Sequence, residues 1–87
     1  MHELSFAQQI LESVIREAGN HPNSKVVRIK MRAADALALD PSSLRFCLEA
    51  ISMGTVAEGA AIEIDETGAE TDLIIEEIEL NEYNREA

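Results

Sequence analysis

The amino-acid sequence predicts an α/β fold, a three-stranded mixed β-sheet with two α-helices packed on one face. Three observations lead there. Two segments repeat apolar residues at helical spacing, three alternate apolar and charged residues, and their order is helix, strand, helix, strand, strand. Two strands joined through a helix run parallel with a right-handed crossover, and the last strand returns antiparallel. At 87 residues the chain is a single domain, 1–87. A domain of this size buries only about 60% of its unfolded surface. Because aromatic residues are scarce, the core must be packed from Leu, Ile, Val, Met and Ala.

The first helix follows from Ala7, Ile10, Leu11, Val14 and Ala18, whose spacing puts them on one face. Phe6 and Ile15 widen that stripe, while Glu12, Arg16 and Glu17 are solvated. Ser5 with Gln8 three residues later has the pattern of a capping box, which predicts a helix start at Ser5. The residues before it then lie outside the helix, with their amides uncommitted to helical bonding. Gly19-Asn20 supplies a left-handed stop. The loop His21-Pro22-Asn23-Ser24 is polar, and His21, without a second ligand nearby in sequence, is a surface residue. Val27, Ile29, Met31 and Ala33 then alternate with Arg28, Lys30 and Arg32, the period of a half-buried strand.

Asp40 caps the second helix and Pro41 occupies its first position, where a missing N–H costs nothing. Leu44, Cys47, Leu48 and Ile51 form its apolar face, and Gly54 closes it. Cys47 thus points inward as a small hydrophobe; no His or orienting carboxylate marks it as a nucleophile. In the next strand Ile62 and Ile64 face inward, Glu63 and Asp65 outward. Residues 67–71 make a turn that closes a hairpin onto the last strand. There Leu73 and Ile75 hold one phase and Ile78 and Leu80 the other, which predicts a β-bulge at Glu76-Glu77. The tail from Asn81 is polar and frayed. The open face of the sheet carries Arg28, Lys30 and Arg32 against Glu63, Asp65, Glu77 and Glu79, a pattern of cross-strand charge pairing.

Composition narrows the function. A formal charge of −10 argues against nucleic acid or an anionic membrane as partner, because phosphate binding rests on clustered Lys and Arg. A single cysteine permits no internal disulfide. With no signal peptide, no apolar run of spanning length and no lipidation motif, the chain reads as a soluble cytoplasmic protein. No phosphate loop, nucleophile motif or acid/base pair marks it as an enzyme.

The chemistry lies in Met1-His2-Glu3. The α-amino nitrogen and the His2 amide close a five-membered ring on a metal. That amide and the His2 Nδ1 close a six-membered one, and the Glu3 amide offers a fourth nitrogen. Amide nitrogens bind only when deprotonated, which Ni(II) and Cu(II) drive and Zn(II), Mg(II) and Ca(II) generally do not. Four nitrogens in a plane suit the same two metals.

The run MHELSFAQQIL resembles the N-terminal signature of the HypA/HybF family, nickel metallochaperones for nickel-iron hydrogenase maturation. DPSSLRFCLEAISMGTVAEGAAIEI is similar to that family's second helix, connection and strand, so the resemblance covers nearly the whole chain. It implies Ni(II) as transient cargo, held at Met1, His2 and Glu3, and a hydrogenase large subunit or HypB-type GTPase as partner. An acidic residue at the start of the second helix lies near the site in some members. Asp40 occupies that place, although its N-cap role already accounts for it. Family members insert a zinc domain with two Cys-x-x-Cys pairs between the strands that here flank residues 67–71. This chain carries neither pair, so no structural zinc is expected. Two functional readings follow: a nickel chaperone reduced to its nickel-binding domain, or a metal-free docking module of the same maturation system.

Overall fold

A computed structural model describes residues 2–33, 39–66 and 73–82. Helix α1 (Glu3–Ala18) leads through a tight turn to strand β1 (Ser24–Ala33), then helix α2 (Pro41–Ser52), strand β2 (Ala61–Asp65) and strand β3 (Leu73–Glu82). Ala7, Ile10, Val14 and Ala18 of α1, Leu44 and Leu48 of α2, and Val26, Ile29 and Met31 of β1 form one buried cluster, with both helices on the same side of the sheet. Leu11, Cys47 and Ile51 are half-buried against it. The width of the α1 stripe differs from expectation: Phe6 packs on the core, but Ile15 is 42% exposed, one step too far around the helix.

The sheet order is β2-β1-β3, with β1 parallel to β2 and antiparallel to β3. The expected hairpin between the last two strands is therefore absent, because β1 stands between them. Charge explains the choice. Adjacent β2 and β3 would set acidic residues opposite one another, which is destabilising. A central basic strand alternates the signs instead. Arg28 donates to Glu63 on one side at 3.0 Å and to Glu77 and Glu79 on the other at 3.1 and 3.0 Å. Those carboxylates, Glu63 foremost, raise the Arg28 guanidinium above its ordinary pKa. The tail expected to fray from Asn81 is corrected at its start, since Asn81 and Glu82 continue β3 opposite Lys25 and Ser24; the turn expected at 67–71 and the residues beyond Glu82 lie outside the described residues.

Two register shifts shape the β1–β3 ladder. Lys30 pairs with Glu77 and Met31 with Ile75, so Glu76 is the extra residue of the bulge expected there. A second shift falls between Val26 and Arg28 and places the inward side chain at Val26, fully buried, where the alternation pointed to Val27. The Val26 N–H donates to Val56 O at 3.1 Å, which ties the irregular start of β1 to the loop after α2.

The helix ends also depart from expectation. Helix α1 begins two residues before Ser5, with His2 as N-cap and the first ladder bond from Phe6 N–H to His2 O at 3.0 Å. At its other end Gly19 stays right-handed (φ −64°), and Asn20 and His21 N–H groups bond three residues back in a tightened last turn. The left-handed residue is Asn23 (φ 64°), a residue type that tolerates this region. Gly54, at φ 81°, closes α2 as predicted.

Candidate metal-binding site

Since α2 connects two parallel strands, it must run against them, and α1 runs the same way because its C-terminal turn feeds the start of β1. The two helix N-termini therefore meet at the end of the sheet where β1 and β2 finish. Their meeting is fixed by one bond: the Asp40 N–H donates to Glu3 Oε2 at 2.8 Å. Both helices point the positive ends of their dipoles at this spot, which favours negative charge there.

Asp40 acts on its own helix as predicted. Its Oδ1 accepts from the Ser42 N–H at 3.0 Å and its Oδ2 from the Ser43 hydroxyl at 3.2 Å, while Pro41 takes the first helical position. Its carboxylate is therefore engaged by its own first turn, and its backbone N–H is the group that faces Glu3. The Glu3 carboxyl is lowered to about 2 by the positively charged amino terminus, then by the Asp40 N–H and its own N–H.

His2 is exposed and makes no side-chain capping bond. Its backbone is neither helical nor extended (φ −119°, ψ 44°). As N-cap and first helical residue, His2 and Glu3 have N–H groups outside the i to i−4 ladder, because no helical residue stands four positions earlier. The expectation that Met1-His2-Glu3 stand outside the helix is corrected for Glu3, which is the first residue of α1 and whose N–H bonds its own carboxylate; its amide and that of His2 are outside the ladder only because of their place at the helix start. Met1 lies outside the described residues. Among the described residues no cluster of three or more His, Cys, Asp or Glu side chains forms a metal centre, and the nitrogen donors at issue are main-chain atoms and one imidazole. His21 lies away from them, with Nε2 3.6 Å from Glu17 Oε2.

The contact between Glu3 and Asp40 was missed by sequence reasoning. They are 37 positions apart, and only the direction of both helices against β1 brings them together. No helix of the described residues is long and apolar enough to cross a membrane.

A family model described as hydrogenase/urease nickel incorporation, metallochaperone, hypA matches residues 1–79. The chain is similar to the hydrogenase maturation factor HypA of Methanopyrus kandleri, 43% identical over 65 residues that cover 75% of this chain and 46% of the relative. It is 41% identical over 64 residues to that of Archaeoglobus fulgidus, covering 74% and 58%, respectively. The HypA of Chlorobium limicola is 36% identical over 69 residues, 79% of this chain and 60% of the relative. The chain thus spans about half to three-fifths of the length of these curated relatives.

Proposed function

The chain belongs to the HypA family, and from that premise we propose that it captures Ni(II) at Met1-His2-Glu3 as cargo for nickel-iron hydrogenase maturation. The observation that carries this reading is the placing of His2 and Glu3 at the very start of α1, where their amides are outside the helical ladder and the helix dipole favours an added negative charge. The Met1 amino group, the His2 amide and imidazole and the Glu3 amide would hold Ni(II), with the amino group and the two amides each giving up a proton to solvent. A deprotonated amide is an anion, and it forms at the positive end of α1. The bond from the Asp40 N–H to the Glu3 side chain holds the chelating segment against α2 during that change. Asp40 itself serves through this N–H and its cap; its carboxylate is a secondary candidate for the metal.

Release proceeds by ligand exchange: a receiving protein protonates or replaces the nitrogens stepwise. The receivers we propose are the hydrogenase large subunit and a HypB-type GTPase, in the cytoplasm. The role is binding and transfer, with no catalytic residue assigned. No structural zinc is assigned to residues 1–87, read here as a single nickel-binding unit, since one cysteine cannot supply four thiolates.

The test is a Ni(II) titration of the chain with a free amino terminus, followed by calorimetry and visible absorption, beside His2→Ala and an N-terminally extended variant. A yellow square-planar species lost in both variants supports the reading. Uptake must also rise with pH, because the amino group and both amides lose a proton. Absence of specific binding in the unextended chain would turn the assignment to the metal-free docking module.

A further inference from the structure

We propose that the outer edge of β3, with the groove between it and α1, is a docking site for an extended segment of a partner protein whose apolar residues face the groove and whose Lys or Arg residues face the open side of the sheet. Strand β3 stands at the sheet edge and presents one row of main-chain groups outward. The other edge is treated differently. Strand β2 has half the length of β3, and the Arg45 guanidinium reaches over it to Ile62 O at 3.3 Å. Among the described residues no such cover lies over β3.

Beside β3 runs a groove of about 360 Å³ lined by Phe6, Gln9, Ile10 and Ser13 of α1 and by Leu73 and Ile75. A separate, smaller depression that shares Ile75 is lined by Glu17, Glu76, Glu77 and Ile78. An added strand sends alternate side chains to opposite faces. Those turned to the helices would meet Phe6, Ile10 and Leu73, which calls for apolar residues. Those turned away would meet Glu77 and Glu79, and Ile74 at the strand's start. The open face sets Glu63, Asp65, Glu77 and Glu79 against Arg28, Lys30 and Arg32, and because all three cations stand on the central strand, the β3 side of that face presents Glu77 and Glu79. Basic residues are the complement. Strand β1 already satisfies β3 in this way on its inner side, with Ile29 and Met31 inward and Arg28, Lys30 and Arg32 outward. The occupant repeats that pattern on the outer side.

A second copy pairing β3 against β3 fails the same criterion. Two-fold pairing would set acidic strands side by side in a chain whose net charge is −10. Main-chain bonds along the edge supply affinity and the alternating side chains supply selection, as in other strand-addition complexes.

The experiment uses metal-free protein and an acetylated ten-residue peptide of alternating Val and Lys, read by amide shifts and hydrogen exchange. The expected result is saturable binding that protects outward-facing β3 amides. A peptide with Glu in place of Lys, and one N-methylated at alternate amides, should each bind at least about tenfold more weakly, a difference of about 1.4 kcal/mol. Gln9→Trp, an exposed position that fills the groove without touching the core, should weaken binding by a similar factor. Binding that is indifferent to Gln9→Trp, absent at millimolar peptide, or replaced by β3 protection that rises with protein concentration would overturn the proposal, the last by assigning the edge to a second copy.

Discussion

Asp40 carries two claims that a pair of substitutions separates. Its side chain caps α2 through the Ser42 N–H at 3.0 Å and the Ser43 hydroxyl at 3.2 Å, while its backbone N–H, present whatever the side chain, holds Glu3. Asp40→Ala removes both side-chain bonds and leaves an orphan donor in the first turn, at a cost of about 1 kcal/mol. In a chain of this size that lowers Tm by about 4–8 °C. Asp40→Asn keeps the capping oxygen and gives up only the charge at the helix N-terminus, worth about 0.3–1 kcal/mol. The order of stability is therefore wild type, Asn, Ala, measured by urea unfolding and calorimetry on metal-free protein. Nickel stoichiometry should be unchanged in both, since the proposed donors lie elsewhere. Equal destabilisation by Asn and Ala would refute the capping argument. Loss of nickel binding in Asp40→Asn with stability retained would make the carboxylate part of the metal site.

His2→Ala should abolish the square-planar nickel spectrum yet leave the metal-free Tm within about 2 °C, because the side chain makes no capping bond; a large loss of stability would show that the imidazole supports the fold. The Glu3 carboxyl, lowered from 4.5 to about 2, contributes stability that is fully present above pH 4.5 and is lost as pH falls through 2, so acid unfolding of Glu3→Gln should have a shallower slope across that window. Equal slopes in the two proteins would dismiss the lowering of the Glu3 carboxyl by the amino terminus and the neighbouring N–H groups. Leu48→Ala, at a fully buried position, should cost about 3 kcal/mol in urea unfolding, and a cost below about 1 kcal/mol would mean the helix packing is wrongly described. Gly54→Ala meets no neighbour but forces φ 81° on an L-residue, so a cost of about 1–2 kcal/mol is expected by the same measurement, and a neutral result would place the end of α2 elsewhere.

Local features of the fold were readable where one residue type serves one purpose. Asp40-Pro41 announces a helix start, Gly54 an end, and the phase change at Glu76 a bulge, each from a few neighbouring residues. Val26 and Val27 show the opposite case. Both are apolar and β-branched, so counting back from Ile29 selects Val27, and only the pairing of β1 with β3 moves the inward position to Val26. Strand order was also written in the sequence, but in charge and not in hydrophobicity. Basic residues on one strand and acidic residues on two others require the basic one in the centre, whereas a short connection suggests a hairpin. The start of α1 was misplaced because Ser5 and Gln8 match a capping box, while the observed N-cap, His2, makes no cap bond that a pattern could reveal. For the candidate site, the proposed donors rest on the tripeptide alone, whereas the contact of the Glu3 side chain was not legible, because its partner lies in another helix.

The bare N-terminus of α1 bears on the proposed function. A Ser, Asp or Asn at position 2 would cap this helix and add about 1 kcal/mol of stability. Helix α2 has such a cap, reinforced by Pro41, and α1 instead has an exposed imidazole that bonds to nothing in its own first turn. Local rules are broken most often where a site uses the group in question. In place of a side-chain cap at His2, the Glu3 carboxylate accepts from the Asp40 N–H and links the start of α1 to that of α2. That arrangement leaves the His2 and Glu3 amides out of the helical ladder while the chain around them stays in place. A capping side chain at position 2 would improve the helix, and it would remove the imidazole on which the proposed chelate depends.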